Sequence, residues 1–133
     1  IVLKVIKVMR ILLDTHVLLW TLADSPHINK VRDLILSIES EIYVSTASWW
    51  ELAIKISIGK IEVDLSMLRT AAADSGFIDL PVLGEHTQAL LSLPTLHRDP
   101  FDRILVAQAI SEPMQLLTND NVLREYSSLV RMI

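Results

Sequence analysis

Arg10-Ile11-Leu12-Leu13-Asp14 is a short apolar run that ends abruptly on a carboxylate, and His16 to Ala23 follows it with the almost continuous apolar content of a short helix leaving a buried strand. A strand buried on both faces and handed directly to a helix is the opening unit of a parallel α/β sheet. A carboxylate at such a strand end is expensive unless something pairs with it, so Asp14 marks the first place to look for chemistry.

Working outward, Pro26 opens a second helical stretch with Ile28, Val31, Leu34, Ile35 and Ile38 at helical spacing. Ile42 to Val44 is a β-branched strand. Ser45-Thr46-Ala47-Ser48 then supplies helix-start chemistry ahead of Trp49 to Ile58, which Gly59 stops. The chain turns through Lys60 to Leu65 into a helix from about Ser66 to Asp74, ended by Gly76. Ile78 to Val82 reads as a strand suited to a sheet edge because Pro81 lacks a donor, and Gly84 to Leu93 as a helix. Asp99-Pro100 is an N-cap with proline at the first helical position, launching a helix to about Ile110. Gln115 to Thr118 is a strand, Val122 to Tyr126 a short helix, and Leu129 to Met132 a last strand. The alternation predicts one α/β domain with a mostly parallel central sheet flanked by helices. No repeat, low-complexity tract or linker interrupts it.

The 133 residues suit a single domain, one that buries about 68% of its unfolded surface. Met9 reads as a natural start directly before the first strand, so 1–8 is set apart as an N-terminal extension and 9–133 as the domain. The extension carries Lys4 and Lys7 and no small-residue cleavage site, so it does not read as a signal peptide, and a cytoplasmic setting is expected. The chain has no cysteine, which excludes disulfides and thiolate-held zinc or iron–sulfur centres; any metal must rest on oxygen or imidazole. Hydrophobic residues make up 51% of the chain, enough to expect an apolar surface against another chain, yet charge interrupts them too often for a membrane span. A net charge of −4 argues against binding nucleic acid by a broad basic surface and leaves open a cluster of acids that grips phosphate through a cation.

Four acids meet that requirement. Asp14 and Asp120 follow the ends of strands, while Glu51 and Asp102 fall in the first turns of helices that run antiparallel to the strands. All four therefore collect on the carboxyl edge of the sheet, the edge where such folds bind ligands, if the strand order places their segments side by side. Three of them also have an ordinary structural explanation: Ser48-x-x-Glu51 fits a capping box, Asp102 is the third residue of a capped helix, and Asp120 sits in an Asn119-Asp120-Asn121 turn. Held together, four like charges repel one another and cost stability, and a divalent cation resolves that conflict. Carboxylate ligation suits Mg²⁺ or Mn²⁺, which can orient a water and stabilise charge developing on a phosphodiester. Phosphodiester hydrolysis is the reaction class that follows.

Leu12-Leu13-Asp14-Thr15-His16, Ser48-Trp49-Trp50-Glu51-Leu52-Ala53-Ile54-Lys55, His97-Arg98-Asp99-Pro100-Phe101-Asp102-Arg103 and Leu117-Thr118-Asn119-Asp120 together resemble, in order and spacing, the VapC-like PIN-domain proteins. The resemblance implies a compact parallel α/β PIN domain over 9–133, a metal site and catalytic centre formed by Asp14, Glu51, Asp102 and Asp120, and an Mg²⁺- or Mn²⁺-dependent endoribonuclease. It also implies a toxin of a toxin–antitoxin pair, a homodimer, and an antitoxin partner that masks it.

Around the acids, Thr15 and Thr118 offer hydroxyls for a water or a phosphate oxygen, and Asp99 is a supporting acid whose capping role already suffices. Arg98 and Arg103 are candidate RNA contacts. The four histidines lack the paired spacing of a zinc site, so imidazole is not expected among the metal ligands, although His97 lies near the rim. Trp49 and Trp50 point about 100° apart on a helix, so both cannot face one core, and Trp49, Trp50 and Ile54 are candidate interface residues. Two rival functions remain. A phosphoacceptor signalling module needs an acid ending a central strand, which Ile42 to Ser45 does not provide. A catalytically silent binding domain has no use for four mutually repelling acids.

Overall fold

A computed structural model describes residues 8–133. The proposed extension, apart from Val8, lies outside the described residues. Five strands form one sheet in the order β3-β2-β1-β4-β5, with every neighbouring pair parallel. The strands are β1 (Met9–Leu13), β2 (Ser40–Ser45), β3 (Ile78–Leu80), β4 (Gln115–Thr118) and β5 (Val130–Met132). Among them run α1 (Thr15–Leu22), α2 (Arg32–Leu36), α3 (Thr46–Ser57), α4 (Leu65–Asp74), α5 (Gly84–Ala89) and α6 (Pro100–Ser111).

The alternation of side chains along β1 divides the core in two. Ile11 and Leu13 face one side with Val17, Leu18, Ile35, Leu52 and Ala72, while Leu12 faces the other with Leu105, Val106, Ala109 and Leu116. Register makes the division consistent across strands, since Leu12 pairs with Leu116 and Leu13 with Leu117. Both faces of the central strands are thus covered, as their unbroken apolar runs require. The expectation of a mostly parallel sheet is met by one that is wholly parallel.

Helix boundaries follow from local chemistry. Ser45 caps α3 by accepting from Ala47 N, and Gly59, at φ 76°, ends it: Gly59 N donates to Ile56 O and Lys60 N to Lys55 O. That pair of bonds needs a left-handed residue, which glycine adopts at no steric cost. Gly76, at φ 81°, ends α4 in the same way.

Three expectations are corrected. The helix expected from Pro26 is broken into a 3₁₀ turn (Pro26–Ile28) and the short α2, because Ser37 adopts an extended conformation and Ser40 N returns to Ser37 O to start β2. Ile28, Val31 and Ile35 are buried as the spacing predicts, but Ile38 falls beyond the helix and is 99% exposed. Gly84 to Leu93 is α5 followed by a 3₁₀ turn (Leu90–Ser92), and the element expected over Val122 to Tyr126 is a 3₁₀ turn (Leu123–Glu125). β3 is a true edge strand that stops at Leu80, before Pro81.

Candidate active site

The sheet order reverses between β1 and β4, so the two loops leaving their carboxyl ends diverge and open a crevice. Asp14 stands at the end of β1 and is 3% exposed. Its burial is compensated on both oxygens: Oδ1 accepts from Val17 N at 2.8 Å, capping α1, and Oδ2 accepts from Thr118 Oγ1 at 2.5 Å. Burial still pushes its carboxyl above the usual range, with Glu51 adding to the rise and the Thr118 and Val17 bonds and nearby His16 opposing it.

Asp102 is the third residue of α6. Asp99 caps that helix with Oδ1, accepting from Phe101 N at 2.9 Å and from Asp102 N at 3.3 Å, which fixes where Asp102 begins its course into the crevice. The Asp102 carboxyl is pushed up to about 6, first by burial and then by Asp99 and Asp14, against the pull of His97. Asp120 is held by a local turn in which Thr118 Oγ1 accepts from Asp120 N at 3.0 Å and Asp120 Oδ1 from Val122 N at 3.0 Å. Asp14, Asp102 and Asp120 line one pocket with His16, Asn119 and Asn121.

Glu51 occupies a neighbouring position. The capping box expected at Ser48 is absent, because Ser45 is the cap, and Glu51 accordingly lies in the second turn of α3 rather than the first. It accepts from Thr15 Oγ1 at 2.6 Å and from Lys55 Nζ at 2.9 Å, and it lines an adjoining cleft with Lys55, Lys60, Arg98 and Asp99. Thr15 stands beside Asp14 in the chain and joins the two regions through its hydroxyl, which also lies 3.1 Å from Ser48 Oγ. Three of the four predicted acids therefore share a pocket, and the fourth flanks it.

His97, which the sequence places near the rim but not among the expected metal ligands, stands inside the acid cluster. Its Nε2 is 2.9 Å from Asp102 Oδ2 and 3.5 Å from Asp120 Oδ2, and one donor atom from each of the three residues lies within 4.8 Å of the others. The loop that carries it is pinned by His97 N donating to Tyr126 Oη at 2.8 Å. Only its position five residues before Asp102, just ahead of the Asp99 cap, could have signalled this.

The remaining candidates separate cleanly. Arg103 donates to the carbonyls of Pro94 and Leu90 and to Tyr126 Oη, so it braces the His97 loop instead of facing a substrate. Arg98 is exposed in the cleft beside Glu51 and has no carboxylate partner among the described residues. Trp49 is buried, with Nε1 donating to Asp79 Oδ1 at 3.0 Å, and so leaves the interface set. Trp50 is 64% exposed, edge-on to Phe101 at 5.2 Å, and with Ala47, Val82 and Ile104 it lines an apolar groove; Ile54 is exposed one turn further along α3.

The donor set fits a hard divalent cation: carboxylate oxygens whose charge is costly where they sit, with hydroxyls and capped backbone holding them in place. A parallel α/β domain with an acidic, cation-fitting crevice at its switch point defines the class. The chain belongs to the PIN domain family, whose profile matches residues 11–129. It is 26% identical over 127 residues to ribonuclease VapC22 of Mycobacterium tuberculosis, a match covering 87% of this chain and 91% of that one. Its fold is similar to that of VapBC2 from Rickettsia felis, solved bound to a DNA fragment from their promoter (TM-score 0.68, 18% identity, 93% and 98% of the two chains). A toxin–antitoxin complex from Klebsiella pneumoniae is also similar (TM-score 0.64, 16% identity, 90% and 94% covered). No helix among the described residues is long and apolar enough to cross a membrane.

Proposed function

We propose that this chain is a metal-dependent endoribonuclease that hydrolyses RNA phosphodiester bonds and serves as the toxin of a toxin–antitoxin pair. The observation that carries this reading is the joint pocket of Asp14, Asp102 and Asp120, with two carboxyls raised first by burial and then by neighbouring carboxylates at the switch point of a PIN-family sheet. When bound, Mg²⁺ or Mn²⁺ supplies charge for an in-line displacement at phosphorus.

The chain's own residues do the rest. Asp102 and Asp120 would hold the cation from two separate segments. Asp14, fixed by Thr118 and Val17, adds negative charge at a set position. Glu51, held by Thr15, faces the adjoining cleft, where Lys55, Lys60 and Arg98 offer positive charge to the phosphates on either side of the bond to be cut. Such a path admits a single strand or loop with its backbone accessible. RNA rather than DNA is chosen on the likeness to a ribonuclease.

On the same reading the protein works in the cytoplasm as a homodimer, with exposed Trp50 and Ile54 as contact residues, and an antitoxin protein masks it. The test is incubation of a mixed structured RNA pool with purified protein in Mg²⁺, Mn²⁺ or EDTA, alongside Asp14→Asn. Metal-dependent cutting lost in the variant supports the reading. A folded, partner-free protein that cuts under no metal overturns it in favour of a silent binding domain.

A further inference from the structure

His97 reaches the acid pocket from a loop, Asp102 from the first turn of α6 and Asp120 from the turn after β4. The three donors come from three segments, and the loop that carries the histidine is braced from behind. Tyr126 accepts from His97 N, and Arg103 spans from Tyr126 to the carbonyls of Pro94 and Leu90. The loop is thus tied at both the histidine and its approach.

His97 Nε2 and Asp102 Oδ2 stand at hydrogen-bond distance, and the same spacing fits a coordination shell. Around a divalent ion with ligands at about 2.1 Å, octahedral neighbours stand about 3.0 Å apart and opposite ligands about 4.2 Å apart. The His97 Nε2 separations of 2.9 Å to Asp102 Oδ2 and 3.5 Å to Asp120 Oδ2 bracket the first value.

We propose that His97 Nε2 is a direct ligand of the divalent ion, together with Asp102 and Asp120, and that this imidazole makes the site prefer Mn²⁺ to Mg²⁺. The inference rests on the metal-dependent reading above and names the ion that serves it. Mg²⁺ dehydrates reluctantly and is bound through oxygen, whereas first-row transition ions gain affinity from a nitrogen donor. The carboxylate majority of the set suits Mn²⁺ among those ions. As a ligand His97 is neutral, and it moderates the negative charge of the pocket without adding to it.

The competing account is a plain ion pair in which a protonated His97 neutralises the acids. The two are separated by pulsed electron paramagnetic resonance of Mn²⁺ added to the purified chain, with Mn²⁺ and Mg²⁺ affinities measured by calorimetry. Wild type is expected to show histidine ¹⁴N modulation that disappears in His97→Ala and His97→Gln and survives in His16→Ala. The Mn²⁺ dissociation constant is expected to rise at least about tenfold in His97→Ala, the size of effect seen for groups that set a metal's environment, while that for Mg²⁺ changes little. His97→Gln keeps a donor near Asp102 and controls for collapse of the loop. Bound Mn²⁺ without histidine modulation, or with unchanged affinity in both variants, overturns the proposal alone. Wild type that binds neither ion, or an Asp102→Asn variant that binds both as wild type does, overturns the metal-dependent reading with it.

Discussion

The Thr118 hydroxyl donates to Asp14 Oδ2 at 2.5 Å, joining the carboxyl ends of two adjacent strands whose residues lie 104 apart in the chain. The same oxygen accepts from Asp120 N at 3.0 Å, so one threonine orients two acids. Thr118→Val preserves shape and removes both bonds. A buried carboxylate that loses a partner costs about 1–3 kcal/mol, so Thr118→Val is expected to lower the melting temperature by several degrees and to weaken divalent-ion affinity in calorimetry. Thr118→Ser is expected to restore both.

Asp14 has two separable duties, and substitutions divide them. Asn is as good an N-cap as Asp and can still accept from Val17 N, its amide nitrogen can donate to Thr118 Oγ1 in place of the acceptor it lacks, and it removes a charge from a crowded pocket. Asp14→Asn is therefore expected to fold with an unchanged or raised melting temperature without metal and to lose RNA cleavage by at least about a hundredfold, within the range of a lost electrostatic contribution to catalysis. Asp14→Ala also loses the cap and is expected to be about 1 kcal/mol less stable than Asp14→Asn. Thermal melts with a single-turnover cleavage assay check both.

Asp102 makes the metal-free protein sensitive to pH in a stated direction. Its carboxyl stands at about 6 in the folded state against an ordinary 3.8, so the folded chain holds this proton more tightly than the unfolded one. The associated stability is complete below about pH 4 and is lost as pH rises through 6. Asp102→Asn titrates in neither state. Its melting temperature relative to wild type is expected to climb between pH 4 and pH 7 in EDTA and to level off above that; a constant difference across the range contradicts the assignment.

How far the sequence reveals this site depends on whether the signal is local. Asp14 at a strand end and Asp102 behind the Asp99-Pro100 cap are set by their neighbours in the chain, and both stand where the pattern predicts. The convergence of Asp14 with Asp120 needed β1 beside β4, a fact about strand order that no stretch of sequence carries. Glu51 was displaced by one turn because Ser45 and Ser48 are equally good caps on paper, and only the extended conformation of Ser45 decides between them. The sequence puts His97 near the rim but not in contact with the acids, because its position rests on Tyr126, a contact 29 residues away. The broken second helix has the same origin, since Ser37 ends it to meet the register of β2 with β1.

Trp50 carries the last prediction. Its neighbour Trp49 is drawn into the core by its bond to Asp79, which leaves Trp50 64% exposed against Phe101 at the edge of an apolar groove. Large aromatic side chains beside a groove contribute strongly when a second surface covers them. If the proposed dimer uses this face, Trp50→Ser with Ile54→Ser shifts the protein from dimer to monomer in light scattering at micromolar concentration. Neither side chain belongs to the buried core, so the melting temperature extrapolated to low concentration is expected to change by no more than about 2 °C, the shift that goes with surface substitutions. A variant that remains dimeric places the contact elsewhere.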